Sequence, residues 1–234
     1  MKSTVGSKTR KAPHLLLSLL LIFFPWPIRR WMMCRLWGYD LAPSSRIGLS
    51  LITARHIRMG PHARIGHLTV IRNLDLLELG ESATIGDMNW ITGVGAKASS
   101  LHYASETDRI SQLTVSDHAA ITDKHLIDCT NKVIIGSFTV FAGCRSQILT
   151  HSIDFEACRQ ISAPVVIGSY CFLGTGTILL KGTTFPDRSV LGAGSVLTRP
   201  FEESNCLYGG VPARKVRVLP ADASYFRRTA GWVA

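Results

Sequence analysis

The sequence predicts an all-β fold, a parallel β-helix in which a short strand and a corner recur every six residues. The first observation is an apolar residue at every sixth position: Ile167, Leu173, Leu179, Phe185, Leu191 and Leu197. The second is that glycine often follows this residue, while the fifth position of each unit is small. The third is that the same period recurs, with slips, from Ile47 onward. Three units make a triangular coil of about 18 residues, and stacked coils bury a continuous core.

The earlier coils follow from the same spacing. We expect inward-facing side chains at Ile47, Met59, Ile65, Ile71, Leu79, Ile85, Ile91, Val115, Ile121, Ile127, Ile135, Phe141 and Gln147. Glycine at the second position should relax the φ/ψ restriction at corners. The period breaks at 93–112 and 152–164, which are both polar. We expect these segments to be loops that leave the coil at a corner, where functional residues often lie.

Residues 1–40 form a basic and hydrophobic segment ahead of the β-helix domain, which is expected over 41–218 and is followed by a tail over 219–234. The apolar run 15–24 is shorter than the roughly 20 residues that a membrane-spanning helix needs. We favour a short amphipathic or hydrophobic helix in the membrane interface, with peripheral contact through residues 13–37. A helix that packs on the protein or a neighbouring subunit, and a cleaved signal peptide, are the open alternatives.

The composition narrows the functional classes. The six cysteines are scattered without metal-binding or disulfide spacing, which indicates buried thiols in a reducing compartment such as the cytoplasm. The net charge of +10 is concentrated at the two ends of the chain. No nucleic-acid-binding motif accompanies it, so we expect no nucleic acid partner. Anionic lipid at one end and a phosphate-bearing cofactor at the other explain the distribution better.

Several segments resemble the hexapeptide-repeat acyltransferases, most of all the sugar and polysaccharide O-acetyltransferases. The resemblance covers about residues 45–218 and rests on the Ile-Gly units, on Leu-Gly-Ala-Gly-Ser-Val-Leu-Thr-Arg at 191–199 and on Gly-Gly-Val-Pro-Ala-Arg at 209–214. It implies a left-handed coil and a homotrimer with sites between neighbouring subunits. It also implies O-acetyl transfer from acetyl-CoA to a hydroxyl of a sugar, lipid-linked saccharide or polysaccharide precursor.

Such a transfer requires a base that removes the hydroxyl proton and a donor that stabilises the oxyanion. Histidine suits the first role because its pKa lies near working pH. His151 stands in Thr-His-Ser-Ile-Asp, at the mouth of the 152–164 loop. This setting is similar to the segment that carries the catalytic histidine in sugar acetyltransferases, so His151 is the expected general base. The alternative is a corner histidine satisfied by backbone groups.

Substrate-binding candidates follow from the stacking of coils. If 115–127 and 135–147 are successive coils, His125 lies beneath Arg145 and Asn131 beneath His151. The candidates for the acceptor side are therefore His125, Asp128, Asn131 and Arg145. His125 and Asp128 would hold the acceptor hydroxyls or orient His151. The alternative is that all four are surface polar residues at corners.

The cofactor-binding candidates come from the resemblance. Thr175 matches the position at the pantetheine arm, and Ala193 lies one coil further on. Thr198 and Arg199 match the Thr-Lys pair of the family, although Pro200 departs from the acidic residue that usually follows. Arg214 and Arg217 match basic residues near the CoA phosphates, with which guanidinium pairs well. Basic residues on a solvated surface are the alternative.

Two other functional classes remain open. The γ-class carbonic anhydrase binds zinc with histidines on the same scaffold, but its close pair is five residues apart, whereas His118 and His125 are seven apart. We therefore expect no metal site. A non-catalytic β-helix that serves in assembly is the other alternative, because a fold does not determine a function.

Overall fold

The computed structural model describes residues 15–96, 101–103 and 105–231, which wind into a parallel β-helix with three faces. The chain returns to each face once per coil, and its strands pair in parallel with those of the neighbouring coils. We call the faces A, B and C in the order of the chain, and the corners between them edges AB, BC and CA. Leu41 pairs with Met59 and Ile167 with Phe185, eighteen residues apart in each case. The predicted parallel, mostly-β architecture is confirmed.

The strands are short, and most run over two to four residues. In the first half of the chain they are β1 (Asp40–Leu41), β2 (Arg46–Ile47), β3 (Leu51–Thr53), β4 (His56–Met59), β5 (Arg64–Ile65), β6 (Val70–Arg72), β7 (Leu76–Leu79), β8 (Thr84–Ile85), β9 (Trp90–Thr92), β10 (Gln112–Val115), β11 (Ala120–Ile121) and β12 (Leu126–Asp128). In the second half they are β13 (Val133–Ile135), β14 (Val140–Phe141), β15 (Gln147–Ile148), β16 (His151–Asp154), β17 (Arg159–Ser162), β18 (Val165–Ile167), β19 (Phe172–Leu173), β20 (Ile178–Leu179), β21 (Thr184–Phe185), β22 (Val190–Leu191), β23 (Val196–Leu197), β24 (Cys206–Gly209) and β25 (Arg214–Val218).

Each face has its own sheet. Face A has the order β1-β4-β7-β10-β13-β18-β21, face B β2-β5-β8-β11-β14-β19-β22-β24-β25, and face C β3-β6-β9-β12-β15-β20-β23. Strands β16 and β17 form a separate antiparallel hairpin. Strand β25 turns back against β24 and is antiparallel to it.

Apolar side chains from successive coils stack inside the prism. On face B the column is at most 2% exposed and consists of Ile65, Ile85, Ile121, Phe141, Leu173 and Leu191. Burial of one such side chain contributes roughly 1.5–3 kcal/mol before its entropy cost, so the stacked columns dominate the stability of the fold.

The predicted inward position at Gln147 is wrong by one residue. Ile148 is fully buried and pairs with Ile127, whereas Gln147 pairs with Leu126 and faces outward. The physical reason is an extra residue at edge BC. Ile121 and Phe141 are 20 residues apart, but Ile127 and Ile148 are 21 apart.

The glycines that follow the inward residues serve close packing between coils. A Cβ atom at Gly136 would lie 2.5 Å from the carbonyl carbon of Gly168 in the next coil, which no side chain tolerates. Gly136 has no positive φ angle, so the expectation that such glycines relax the corners is wrong here. The left-handed corners of edge AB carry non-glycine residues instead, among them His118, Phe138 and Tyr170, with φ between 57° and 59°.

Two helices, α1 (Leu15–Leu21) and α2 (Trp26–Trp37), precede the β-helix. The guanidinium of Arg29 is buried and donates to the carbonyl oxygens of Gly48 and Ser50 at 2.6 and 2.8 Å. Met33 and Trp37 are also buried and belong to the core. Helix α2 therefore covers the first coils of the β-helix. Among the described residues, no helix is long and apolar enough to cross a membrane.

Both segments that break the repeat leave the prism at edge CA. The first lies between β9 and β10 and includes a 3-10 turn at Leu101–Tyr103; the second is the β16–β17 hairpin. The turn 129–132 lies in the coil between them.

In the C-terminal tail, the Tyr225 hydroxyl donates to the Cys171 carbonyl at 3.1 Å and the Arg228 guanidinium lies over the Tyr225 ring. Trp232, the tryptophan of this tail, is outside the described residues.

Candidate active site

His151 and Asp128 form a close pair at edge CA. Asp128 is the last residue of β12 on face C, and His151 is the first residue of the β16–β17 hairpin. The Nδ1 atom of His151 lies 2.7 Å from Oδ2 of Asp128. The carboxylate is almost covered, with 10% of its side chain exposed, whereas the imidazole is 42% exposed. The pair therefore combines a buried anchor with an accessible ring.

The Asp128 carboxylate is surrounded by donors. Its Oδ1 atom accepts from the backbone N–H and hydroxyl of Thr130, and Oδ2 accepts from the same two groups of Thr150. Burial raises the pKa of Asp128, but the hydrogen bonds from His151, Thr130 and Thr150 outweigh this effect and lower it to about 2. Asp128 is therefore ionised at any physiological pH.

The Asp128 carboxylate determines the tautomer of the His151 imidazole and raises its pKa. Because an ionised carboxylate only accepts, Nδ1 of His151 must donate, and the neutral ring carries its lone pair on Nε2. The hydrogen bond to Asp128 raises the pKa of His151, partial burial opposes this, and the charge of Asp128 adds to the increase. A histidine with a fixed ring, a basic Nε2 and a raised pKa can act as a general base.

The turn 129–132 supports the pair from below. The backbone N–H of Asn131 donates to the Thr150 hydroxyl at 3.0 Å, and the Asn131 side-chain amide donates to the Ser162 hydroxyl at 2.9 Å. Arg109, which is 7% exposed, donates to the Thr130 carbonyl at 2.7 Å. Sequence reasoning missed Thr130, Thr150 and Arg109. The only available signal was the threonine directly before His151.

Two of the four acceptor-side candidates are not at this site. His125 stacks on Ser146, not on Arg145, because of the extra residue at edge BC; the Ser146 N–H donates to its Nδ1 atom. The ring of His125 is 2% exposed and lies at edge BC, and burial lowers its pKa to about 4. Arg145 is an exposed corner residue of the same edge whose N–H donates to the Lys124 carbonyl. Only Asp128 and Asn131 lie beside His151.

The cofactor-binding candidates are distributed over three parts of the prism. Thr175 and Ala193 are exposed at edge BC in successive coils, where the Gly194 N–H donates to the Thr175 carbonyl. Thr198 and Arg199 are exposed beyond β23, towards edge CA. Arg214 and Arg217 are exposed on β25. Of the basic residues on that strand, only Lys215 forms an ion pair within the described part of the chain, with Glu203.

Within the described residues, no cluster of three or more histidine, cysteine or acidic residues is arranged to hold a metal ion. His118 lies at edge AB and His125 at edge BC.

Comparisons with known proteins agree with this architecture. No family model matches the sequence. A Schizosaccharomyces pombe protein named as a candidate acetyltransferase is 37% identical over 73 residues, which are 30% of this chain and 35% of that protein. The galactoside O-acetyltransferase of Escherichia coli K12 is 25% identical over 142 residues, 58% of this chain and 64% of that enzyme. The chain thus spans less than two thirds of the length of either relative.

The fold is also found among solved structures. The polysialic acid O-acetyltransferase OatWY superposes with a TM-score of 0.59 at 18% identity, over 77% of this chain and 84% of that one. The two relatives found by sequence are thus acetyltransferases by name, and the chain shares the fold of a solved O-acetyltransferase structure.

Proposed function

We propose that this protein is an O-acetyltransferase that moves an acetyl group from acetyl-CoA to a hydroxyl of a sugar or polysaccharide precursor. The observation that carries the proposal is the 2.7 Å contact between His151 Nδ1 and the buried, ionised Asp128. The two relatives identified by sequence are a candidate acetyltransferase and a sugar O-acetyltransferase, which supports the reaction class. In the proposed enzyme the coil is left-handed, as the resemblance implies.

The proposed mechanism uses Nε2 of His151 as the base. It removes the proton of the acceptor hydroxyl while the oxygen attacks the thioester carbonyl carbon of acetyl-CoA. Collapse of the tetrahedral intermediate breaks the C–S bond, and the imidazolium returns the proton to the departing thiolate. Asp128 stabilises the imidazolium and keeps the ring in the correct tautomer. Asn131 is the proposed contact to the acceptor.

The distribution of the cofactor candidates supports a site shared between subunits. Thr175 and Ala193 lie at edge BC, whereas His151 lies at edge CA of the same prism. A homotrimer would bring edge BC of one copy to edge CA of the next and place the pantetheine arm beside the imidazole. In this arrangement Thr198 and Arg199 line the same cleft. Arg214 and Arg217 fit the phosphates of CoA because both are exposed and form no ion pair within the described residues.

The test is acetyl-CoA-dependent thiol release with a panel of saccharide acceptors, together with mass analysis of the product. A mass gain of one acetyl group on the acceptor supports the proposal. Thiol release without an acetylated sugar, or no release with any acceptor, contradicts it.

We also propose that helices α1 and α2 bind the surface of the cytoplasmic membrane from the inside, which suits an enzyme acting on lipid-linked saccharides. While α2 buries Arg29, Met33 and Trp37 on the first coils, the two helices and the turn between them expose large apolar residues: Leu16, Leu20, Phe23, Phe24, Ile28, Trp31 and Leu36. An exposed apolar surface of this kind indicates an interaction site. Lys2, Lys8, Arg10 and Lys11 in the sequence and the exposed Arg35 favour anionic lipid as the partner, whereas Arg29 is bound to the first coils.

The membrane proposal is tested by flotation with phosphatidylglycerol vesicles. Phe23→Glu and Trp31→Glu together should abolish co-flotation, because these side chains are 85% and 65% exposed and are the ones proposed to enter the lipid. Val216→Glu is the matched control, since Val216 is 61% exposed on β25, at the opposite end of the face B sheet from the coils that the helices cover. Equal flotation of the double variant and the wild type would refute the proposal.

A further inference from the structure

The β16–β17 hairpin that begins with His151 has little support from its own packing. Its side chains are exposed or half-buried, and Ile153 and Phe155 near its tip are 55% and 89% exposed. An isolated two-stranded hairpin is marginally stable in water. The position of His151 therefore depends on contacts at the base of the hairpin.

One such contact comes from the other excursion at edge CA. Ser162, the last residue of β17, pairs across the hairpin with His151. Its backbone N–H donates to Oε1 of Glu106 at 2.7 Å, and its hydroxyl donates to Oε2. Glu106 is 56 residues away in the sequence and belongs to the segment between β9 and β10. A single carboxylate thus holds both polar groups of the residue opposite the imidazole.

These contacts form a closed chain around the turn 129–132. Glu106 holds Ser162, the Ser162 hydroxyl accepts from Asn131, and the Asn131 N–H donates to Thr150. The Thr150 hydroxyl in turn donates to Asp128 at 2.7 Å, the same oxygen that accepts from His151. Displacement of Ser162 would therefore disturb the strand pairing of His151 and, through Asn131 and Thr150, its contact with Asp128.

We propose that Glu106 is a positioning residue that clamps the hairpin and holds the His151 imidazole on Asp128. The proposal rests on the proposed function for its catalytic consequence, but the clamp itself is a statement about geometry. Hydrogen bonds to a carboxylate are stronger than those between neutral groups, so glutamate suits this role. Glutamine retains one acceptor oxygen and should preserve part of the effect.

The experiment compares Glu106→Ala, Glu106→Gln and the control Glu156→Ala. Glu156 lies in the same hairpin and is exposed, and within the described residues its backbone N–H donates to Asp154 while its carboxylate forms no hydrogen bond. NMR titration of the labelled histidines, with His151 assigned by its loss in His151→Ala, gives the pKa of the imidazole without any assay of turnover. In Glu106→Ala this pKa should fall towards 6.5, while Glu106→Gln falls less and Glu156→Ala retains the wild-type value.

The kinetic prediction is a loss of roughly 10- to 100-fold in kcat for Glu106→Ala, with KM for acetyl-CoA nearly unchanged, because a displaced base slows chemistry without weakening cofactor binding. Glu106→Gln should recover part of the rate. Wild-type pKa and kcat in Glu106→Ala would overturn the clamp. A shifted pKa in a protein that transfers no acetyl group would uphold the clamp and refute the proposed function. If Glu106→Ala does not fold, Ser162→Ala tests the same chain and should also lower the pKa.

Discussion

The imidazole of His151 donates to the carboxylate of Asp128 at 2.7 Å, although 23 residues separate the two in the sequence. One coil of the β-helix runs between them, so the end of strand β12 on face C lies beneath the corner that follows strand β15. The carboxylate is buried and the imidazole is accessible. This is the arrangement expected of a general base and the carboxylate that orients it.

Replacement of Asp128 by asparagine should slow the enzyme and change its pH profile. In the wild type the acidic limb of kcat/KM should lie above pH 6.5, because Asp128 raises the pKa of His151 and only the neutral ring can accept a proton. Asp128→Asn should move this limb to lower pH and reduce the plateau by on the order of 10²-fold. Asp154→Asn, in the exposed hairpin, is the control. An unchanged limb in Asp128→Asn would contradict the assignment.

Asp128 should also stabilise the fold in a pH-dependent way. Its pKa is about 2 in the folded protein against 3.8 for the free group, so the folded state binds fewer protons between these values. The contribution, on the order of 2 kcal/mol, is present above pH 4 and is lost as the pH falls towards 2. Urea unfolding of the wild type and Asp128→Asn from pH 5 to pH 2.5 measures it. The difference in the free energy of unfolding should shrink with acidification; a constant difference would refute the linkage.

The register at edge BC predicts that substitutions at two adjacent residues have very different effects on the free energy of unfolding. Ile148→Ala should lower the free energy of unfolding by about 2–5 kcal/mol, because it opens a cavity in the core. Gln147→Ala should change it by less than about 0.5 kcal/mol, since Gln147 faces outward. Urea unfolding of both variants distinguishes the two registers. A larger effect at Gln147 would restore the register expected from a strict period of six.

The strict period of six predicted the inward-facing residues correctly on faces A and B. It failed at Gln147 on face C, where edge BC contains one extra residue. Ile121 and Phe141 were predicted correctly because an apolar residue every six positions must face the core. Gln147 was mispredicted because one extra residue at edge BC shifts the register, although the apolar Ile148 directly after the polar Gln147 was a signal of this shift. The same slip displaced the expected stacking of His125 and Arg145.

The site was predictable only in part, for a related reason. Asp128 was expected either to hold the acceptor or to orient His151, and the observed contact is the second of these. The roles of Thr130, Thr150, Glu106 and Ser162 depend on how two excursions of irregular length fold back over the turn 129–132. No repeat describes such segments, so their contacts require coordinates.

Arg214 should affect cofactor binding more than chemistry. Arg214→Gln should raise KM for acetyl-CoA roughly 10- to 100-fold with little change in kcat, since one charge-assisted hydrogen bond contributes about 1.5–3 kcal/mol. Lys215→Gln is the matched control, because the ammonium of Lys215 already pairs with Glu203. Initial rates over a range of acetyl-CoA concentrations give both constants. Equal KM values in the two variants would argue against a phosphate contact at Arg214.

In the proposed mechanism the Nε2 atom of His151 removes the acceptor proton. The most direct measurement is acceptor-dependent thiol release from acetyl-CoA by the wild type and by His151→Ala, with circular dichroism to verify that both are folded. His62→Asn, at an exposed corner, serves as the control. We expect a loss of at least about 10²-fold in kcat for His151→Ala and wild-type rates for the control. Near-wild-type turnover by folded His151→Ala would contradict it.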